Sequence, residues 1–311
     1  MMTRGSEHPV EVHAFASAAL ESVQGPSAPV PDVPGPDSLR RRVLHLAAGL
    51  FPRLTARLLA RRFLSSTSFV DRAKIAASPD ITLVELGTGG AVLRHAAPDP
   101  TRPYARVLLA HGHDGHPRQF ARILKALRVR NAAVDVLVLP GHLDQQPEIC
   151  GVDRIVGAIG AALDLFGPYD SVATHCVSGN GLLHCLDEGR DVGSVALISA
   201  SLDLPHLVRT SGVQYGLKGK TLDHFIASVG SLGAPYPLNT PWHHIATRRG
   251  EPLMVIHAKA DWAAPVENAE ELGKLWPNAD IRIFDRGDHN TILSVSPAVT
   301  AVAEFLSMIP L

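Results

Sequence analysis

The chain has 311 residues, 46% of them hydrophobic, and a formal net charge of −1. A chain of this length and composition can bury a large core, which favours one α/β domain with an insertion over two equal domains. The pI near 7.0 argues against nucleic acid as the main partner, because phosphate binding requires clustered Lys and Arg. We therefore expect a small-molecule substrate and no nucleic-acid partner.

The composition also bears on compartment and cofactors. Three cysteines form no paired framework, and no run is apolar enough to span a bilayer or to form the core of a signal peptide. The expected compartment is the cytoplasm. His111, His113 and His116 are close in sequence, but their spacing fits no familiar metal site. The sequence therefore predicts no metal and no organic cofactor, and it does not specify an oligomeric state.

The N-terminal part divides into an arm and a helical segment. Residues 1–37 contain six prolines and predict a flexible arm. Residues 38–79 predict an amphipathic helical segment in which Pro52 kinks or splits the helix. Apolar residues recur there at helical spacing, with arginines between them. The apolar residues are Leu39, Val43, Leu46, Leu50, Leu54 and Leu58. This apolar stripe can pack on the domain or lie on an anionic membrane, and packing, the commoner use, is expected here.

From residue 80 onward, β-rich runs alternate with helical ones. The runs "ITLVELG", "AVLRHAA" and "ARVLLAHG" come first, and the later strands are separated by helical stretches. This alternation predicts a mostly parallel sheet with helices on both faces, and the first strands, which lack helices between them, predict an antiparallel edge. The segment at about 203–249 interrupts the alternation and is predicted to be a small lid.

The stretch "AHGHDG" directly follows a predicted strand, where open α/β sheets bind ligands. Its glycines allow a sharp turn that can present backbone N–H groups to a developing oxyanion. Losing one such donor typically lowers the rate by about 10²- to 10³-fold. We predict that the amide of His113 is an oxyanion donor.

A second stretch, "THCVSGNG" at 174–181, predicts a strand that turns sharply into a helix. A nucleophile in such a turn is strained, and the residues two positions away must be small. Both Cys176 and Ser178 meet that requirement. Steric reasoning alone leaves the two candidates open.

The third feature is a pair of residues, Asp261 and His289, each of which follows a late strand. A nucleophile needs a base, and the base needs a carboxylate that fixes its tautomer and balances its charge. Asp285 and Asp288 are local alternatives for the carboxylate. The chain order of nucleophile, acid and base is the order expected for an α/β-hydrolase.

The chain from about 80 to 306 resembles the α/β-hydrolase superfamily. "AHGHDG" stands in the place of its HG oxyanion motif, "LPGH" in that of its strand-four turn and "HCVSG" in that of its nucleophile elbow. "HAKADWAAP" and "GDHNTIL" resemble its acid and histidine loops. The resemblance implies an α/β-hydrolase fold over residues 80–311, with a mostly parallel sheet, helices on both faces and a small lid insertion.

The resemblance also bears on the nucleophile. His175 stands where the superfamily often has histidine before its nucleophile, and the length of chain to the next strand fits Cys176 better than Ser178. A cysteine at this position resembles dienelactone hydrolases, polyhydroxyalkanoate synthases and certain thioesterases.

The predicted enzyme is a hydrolase or acyltransferase of the thioesterase or esterase type. Cys176 attacks an acyl carbonyl, His289 transfers the proton, and Asp261 orients His289, while the amides of His113 and Val177 hold the oxyanion. A thiolate is a good leaving group, so thioesters, lactones and activated esters are expected rather than amides.

Two alternatives remain open at this point. One is a serine carboxylesterase of the same fold that uses Ser178. The other is a hydrolase-like protein without catalysis that binds a ligand beneath the lid. Separate replacement of Cys176 and Ser178 distinguishes the enzymes, and saturable binding without turnover identifies the binding protein.

Overall fold

The strands form one eight-stranded sheet in a computed structural model that describes residues 39–101, 103–145 and 148–308. The strands are β1 (Ile81–Glu85), β2 (Ala91–His95), β3 (Arg106–Ala110), β4 (Ala133–Val138), β5 (Ser171–His175), β6 (Val195–Ile198), β7 (Leu253–Ala258) and β8 (Ala279–Phe284). Their spatial order is β1-β2-β4-β3-β5-β6-β7-β8. Strand β2 is antiparallel to β1 and β4, and the other pairs are parallel. The predicted antiparallel edge is confirmed, whereas the arm predicted over 1–37 lies outside the described residues.

Helices connect the parallel strands and cover both faces of the sheet. They are α1 (Leu39–Leu50), α2 (Pro52–Phe63), α3 (Arg72–Ala76), α4 (Ala121–Val129), α5 (Val152–Phe166), α6 (Ser178–Asp187), α7 (Leu204–Gln214), α8 (Gly219–Leu232), α9 (Trp242–Ala246), α10 (Val266–Leu275) and α11 (Ser296–Ser307). Within the described ranges, no helix is long and apolar enough to cross a bilayer.

The sheet separates two apolar cores because successive side chains of a strand point to opposite faces. In β3, Leu108 packs in the core beneath α5, α6 and α10, and Leu109 packs in the core beneath α4 and α11. Strands β5 and β7 are buried along their whole length. Such continuous burial is expected of a parallel sheet that is covered on both sides, and it fixes the strand ends that carry the polar residues.

Pro52 separates α1 from α2, as the sequence predicts, but the apolar stripe does not pack on the domain. Helix α2 instead packs against α8 through the small residues Ala56 and Ala60 and through Phe63. Five stripe positions are more than half exposed: Val43, Leu46, Leu50, Leu54 and Leu58. The packing prediction is therefore wrong at these positions, because small side chains on another face of α2 permit the closer helix contact.

The segment predicted as a lid contains α7, α8 and α9 and connects β6 to β7. It begins at the carboxyl end of β6, the sheet edge at which the turns after β3, β5 and β7 also lie. Helix α8 and α2 share a third apolar cluster. The segment therefore adjoins the ligand side of the sheet, and its opening and closing remain a prediction.

Candidate active site

The turn between β5 and α6 contains one strained residue. Strand β5 ends at His175 and α6 begins at Ser178, so only Cys176 and Val177 form the turn. Cys176 has a φ of 58°, in the left-handed region. This conformation costs a residue with a β-carbon about 1 to 2 kcal/mol and is found where surrounding structure enforces it. Val177 and Ser178 follow with the ordinary geometry of a helix start.

Ser178 has a different environment. Its side chain is fully buried, and its hydroxyl donates a hydrogen bond of 2.5 Å to the carbonyl of His111. No hydrogen bond joins it to His289 in the part of the chain that the structure describes. The hydroxyl thus ties helix α6 to the loop that follows β3.

Asp261 and His289 form the expected hydrogen-bonded pair. The Nδ1 of His289 lies 2.9 Å from each carboxylate oxygen of Asp261. The backbone N–H groups of Ala263 and Ala264 also donate to Asp261, each at 2.9 Å. Burial alone would raise the pKa of Asp261, but its hydrogen bond to His289 holds that pKa below the usual value. The carboxylate is therefore charged and fixed in orientation.

The two alternative carboxylates have other partners. Asp285 is exposed, and its carboxylate lies 3.6 Å from the Lys259 amine. Asp288 accepts hydrogen bonds from the backbone N–H and the hydroxyl of Thr291 at the start of a short 3₁₀ helix. Neither carboxylate takes the position of Asp261 beside the His289 ring.

Cys176 and His289 are close enough that each shifts the pKa of the other. Burial raises the pKa of the Cys176 thiol, but the neighbouring His289 imidazolium outweighs burial and lowers it below the ordinary value. Burial likewise lowers the pKa of His289, whereas the Cys176 thiolate and Asp261 raise it to about 10. Each group therefore favours the charged form of the other.

A further residue, Ser201, touches the thiol. Its fully buried hydroxyl lies 3.5 Å from the Cys176 Sγ. The amide of Asn180 donates a hydrogen bond of 2.6 Å to the Ser201 carbonyl and so holds the loop after β6. Sequence analysis missed Ser201, since neither its spacing nor its residue type distinguishes it from the serines nearby.

His175 secures the loop that carries His289. Its Nε2 donates a hydrogen bond of 2.8 Å to the backbone carbonyl of His289, and the two ring centroids are 5.0 Å apart. Burial lowers the pKa of His175 to about 3, so its ring is neutral. A neutral ring beside the imidazolium avoids a repulsion between like charges.

The loop after β3 approaches the thiol closely at Gly112. A β-carbon on Gly112 would lie 2.6 Å from the Cys176 Cβ, so only glycine fits without displacement. The next residue is His113, whose Nε2 donates a hydrogen bond of 2.6 Å to the Phe63 carbonyl. Among the described residues, the N–H groups of His113 and Val177 donate to no carbonyl. The Val177 N–H lies beside the Cys176 sulfur and helps to lower the pKa of the thiol.

Asp114 connects this loop to the N-terminal segment. It has a φ of 53° and accepts hydrogen bonds from the backbone N–H groups of Thr67, at 2.6 Å, and Ser68, at 3.1 Å. The hydroxyl of Ser66 donates to the same carboxylate at 3.1 Å. Sequence analysis missed this contact because nearly fifty residues separate the partners and no repeated motif links them.

The three nearby histidines bind backbone groups. The Nδ1 of His111 donates to the Gly112 carbonyl at 2.8 Å, and the Nδ1 of His116 accepts from the Arg118 N–H at 3.0 Å. Over residues 39–101, 103–145 and 148–308, no group of three or more His, Cys, Asp or Glu side chains is arranged to hold a metal ion.

Comparison with known proteins identifies the fold. The sequence matches no protein-family model and no curated protein. The structure is similar to an esterase of Pyrococcus furiosus, with a TM-score of 0.60, 14% identity and coverage of 80% of this chain and 98% of that one. It is also similar to the esterase domain of a Rhodothermus marinus protein, with a TM-score of 0.52, 20% identity and coverage of 73% and 95%.

A third similar structure is Est1E of Butyrivibrio proteoclasticus with ferulic acid bound. Its TM-score is 0.56 and its identity 17%, and the match covers 72% of this chain and 97% of that one. With the strand order and the turn after β5, these likenesses show that the chain has the α/β-hydrolase fold.

Proposed function

We propose that the protein is an esterase-type enzyme that forms a covalent acyl intermediate on Cys176. The observation that carries the proposal is that Cys176 is the strained residue of the turn after β5. His289, which is hydrogen-bonded to Asp261, lies near enough to lower the pKa of the Cys176 thiol. Ser178 is the alternative nucleophile, but its hydroxyl is engaged with the His111 carbonyl. The geometry therefore favours a thiol over a hydroxyl mechanism.

In the first half-reaction, the Cys176 thiolate attacks the carbonyl carbon, and the electron pair of the C=O bond moves to oxygen. The N–H groups of His113 and Val177 hold that oxyanion. When the tetrahedral intermediate collapses, the bond to the leaving group breaks and His289 gives its proton to the departing oxygen or sulfur. Asp261 keeps the His289 ring in position throughout.

In the second half-reaction, neutral His289 removes a proton from water as the water attacks the acyl-thioester. Collapse of this second intermediate expels the Cys176 thiolate and releases the carboxylic acid. Another acceptor that reaches the same position can replace water, which would make the reaction an acyl transfer. The imidazolium and thiolate pair is then restored.

The leaving group determines the substrate class. A thiolate departs more readily than an amine, so an amide intermediate returns to substrate, whereas esters, thioesters and lactones go forward. Est1E, which has the same fold, has ferulic acid bound, and other structures similar to this chain are esterases. These likenesses favour a small ester or thioester as the acyl donor.

The test is mass spectrometry of the intact protein and its peptides after mixing with an activated ester and a panel of acyl thioesters. We expect an acyl mass on Cys176 that disappears with water or an added acceptor. The Cys176→Ala variant should give no adduct, whereas Cys185→Ala, which removes another buried free thiol, should behave as the unchanged protein.

Two results would overturn the proposal. An adduct on Ser178, with turnover lost in Ser178→Ala and retained in Cys176→Ala, would identify a serine carboxylesterase. No adduct with any donor, together with saturable ligand binding, would identify a binding protein without catalysis.

A further inference from the structure

Helices α1 and α2 expose a continuous set of large apolar side chains. We call it the N-terminal apolar stripe, and it consists of Val43, Leu46, Leu50, Phe51, Leu54 and Leu58. Each is between 56% and 65% exposed. Contiguous apolar exposure of this kind marks a binding surface in soluble proteins, whereas single exposed residues do not.

The charges around the stripe have one sign. Residues 39–63 contain seven arginines and no aspartate or glutamate, although the whole chain has a net charge of −1. The arginines whose side chains are described are exposed, namely Arg42, Arg53, Arg57, Arg61 and Arg62. Within the described residues none of these five forms an ion pair. The helices therefore offer both apolar side chains and unneutralised positive charge.

We infer that this face binds the surface of an anionic lipid bilayer. Amphipathic helices with leucine and phenylalanine on one side and arginine on the other bind there, burying the apolar side chains at the boundary between headgroups and acyl chains. Each arginine near the surface adds attraction to anionic lipid. A bilayer satisfies both features of the stripe at once.

A second copy of the chain fits the N-terminal apolar stripe less well than an anionic bilayer does. In a symmetric dimer the same face meets itself, so the arginines of one stripe would lie against those of the other. Like charges brought together in this way oppose association. The charge pattern therefore favours an anionic partner.

Helix α2 connects the N-terminal apolar stripe to the surroundings of the candidate site. The other side of α2 packs through Ala56 and Ala60 against α8, within the segment that adjoins the ligand side of the sheet. The end of α2 also accepts the hydrogen bond from His113 at the Phe63 carbonyl. A bilayer bound to the stripe lies beside the residues that border the candidate site. The inference itself concerns binding and does not depend on the proposed catalysis.

The experiment is co-sedimentation of the full chain with vesicles at low salt. One set contains phosphatidylcholine with about 30% phosphatidylglycerol, and the other contains phosphatidylcholine alone. We expect binding to the anionic vesicles that is at least about tenfold stronger than to the neutral ones and that weakens as salt is added.

Matched variants locate the contact. The pair Leu50→Glu and Leu54→Glu should weaken binding by about tenfold or more, since it removes apolar contact and adds repulsion. The control pair, Val129→Glu and Leu165→Glu, changes side chains that are at least as exposed but lie outside the stripe, and it should bind as the unchanged protein. Thermal unfolding checks that both pairs are folded.

Four results would overturn the inference: no binding by the full chain, equal binding to neutral vesicles, equal loss in the control pair, or binding only after removal of residues 1–37. The last would mean that the N-terminal residues occupy the stripe in the full chain. Self-association that depends on Leu50 and Leu54, without vesicle binding, would assign the stripe to a second copy.

Discussion

The candidate site and the N-terminal helices place their ionisable side chains in opposite environments. At the site, Cys176 and His289 are buried, and Asp261 accepts a hydrogen bond from the His289 ring. On α1 and α2, large apolar side chains are exposed beside exposed arginines. Within the described chain, Arg42, Arg53, Arg57, Arg61 and Arg62 form no ion pair. The site for which we propose chemistry on a small molecule is thus preorganised, whereas the surface for which we propose an extended partner is left uncovered.

The largest effect is expected for Asp261→Asn. An amide in this place cannot balance the imidazolium and favours the wrong tautomer of His289, so kcat/KM for an activated ester should fall by about 10³- to 10⁴-fold. Steady-state kinetics measure this loss. The matched change Asp285→Asn, at an exposed carboxylate, should leave the rate unchanged. Equal losses in the two variants would contradict the assignment of Asp261.

The next largest effect is expected for Gly112→Ala, a variant that tests how tightly the loop after β3 is packed. A methyl group in Gly112→Ala would lie 2.6 Å from the Cys176 Cβ, so the loop and the His113 amide must move. We expect kcat to fall by about 10²- to 10³-fold, the loss associated with one oxyanion donor. Gly87→Ala is the control, because its added methyl group would meet nothing within 4 Å. An unchanged kcat in Gly112→Ala would exclude His113 as a donor.

A smaller effect is expected for Ser201→Ala. The hydroxyl of Ser201 lies 3.5 Å from the Cys176 Sγ, and this hydrogen bond helps to lower the thiol pKa. Its loss should therefore raise the thiol pKa and shift the pH profile of iodoacetamide alkylation upward. The depressed pKa stabilises the fold above the ordinary thiol value of about 8.5, and this contribution disappears as pH falls through the folded-state pKa. Unfolding measured across that window should therefore show a weaker pH dependence in the variant.

The control for Ser201→Ala is Ser194→Ala. The Ser194 hydroxyl is also buried and hydrogen-bonded, to Ser171 at 2.7 Å, but it lies away from the thiol. It should change stability without moving the alkylation profile. An identical profile in Ser201→Ala and in the unchanged protein would mean that Ser201 supports the loop and not the thiolate.

The smallest effect is expected for Leu54→Ser in α2, and Ala60→Leu in the same helix is its contrast. Leu54→Ser removes an exposed side chain, so the free energy of unfolding should change by less than about 0.5 kcal/mol. Ala60→Leu enlarges a fully buried residue against α8 and should cost about 1 to 3 kcal/mol. Denaturant unfolding measures both values. A large loss in Leu54→Ser would indicate that the leucine is covered in solution.

The fold was predictable because its signals are local. Most buried strands are short runs of aliphatic residues, and turn residues mark where they end, so the positions of Cys176, Asp261 and His289 at strand ends could be predicted from the sequence. The contacts of Ser201 and Asp114 were not predictable, since they join loops from different parts of the chain. No periodicity specifies such contacts before the sheet is assembled.

The N-terminal helices illustrate a different limit. Helical spacing correctly placed Leu46 and Leu50 on one exposed face of α1, and Leu54 and Leu58 on one exposed face of α2, but spacing does not say what those faces meet. The face that packs on α8 is formed by Ala56 and Ala60, whose small side chains give a weak hydrophobic signal. A sequence pattern identifies the most apolar face of a helix, and steric fit decides which face lies against the protein.

The hydrogen bond from His175 to the His289 carbonyl has a consequence for the order of folding. It joins residues 114 positions apart, and the parallel strands β6, β7 and β8 are formed by the chain between them. A nascent chain that has completed β5 but not β8 therefore contains the cysteine without its base. We expect the thiol to become nucleophilic only late in folding, which protects incompletely folded chains from premature acylation.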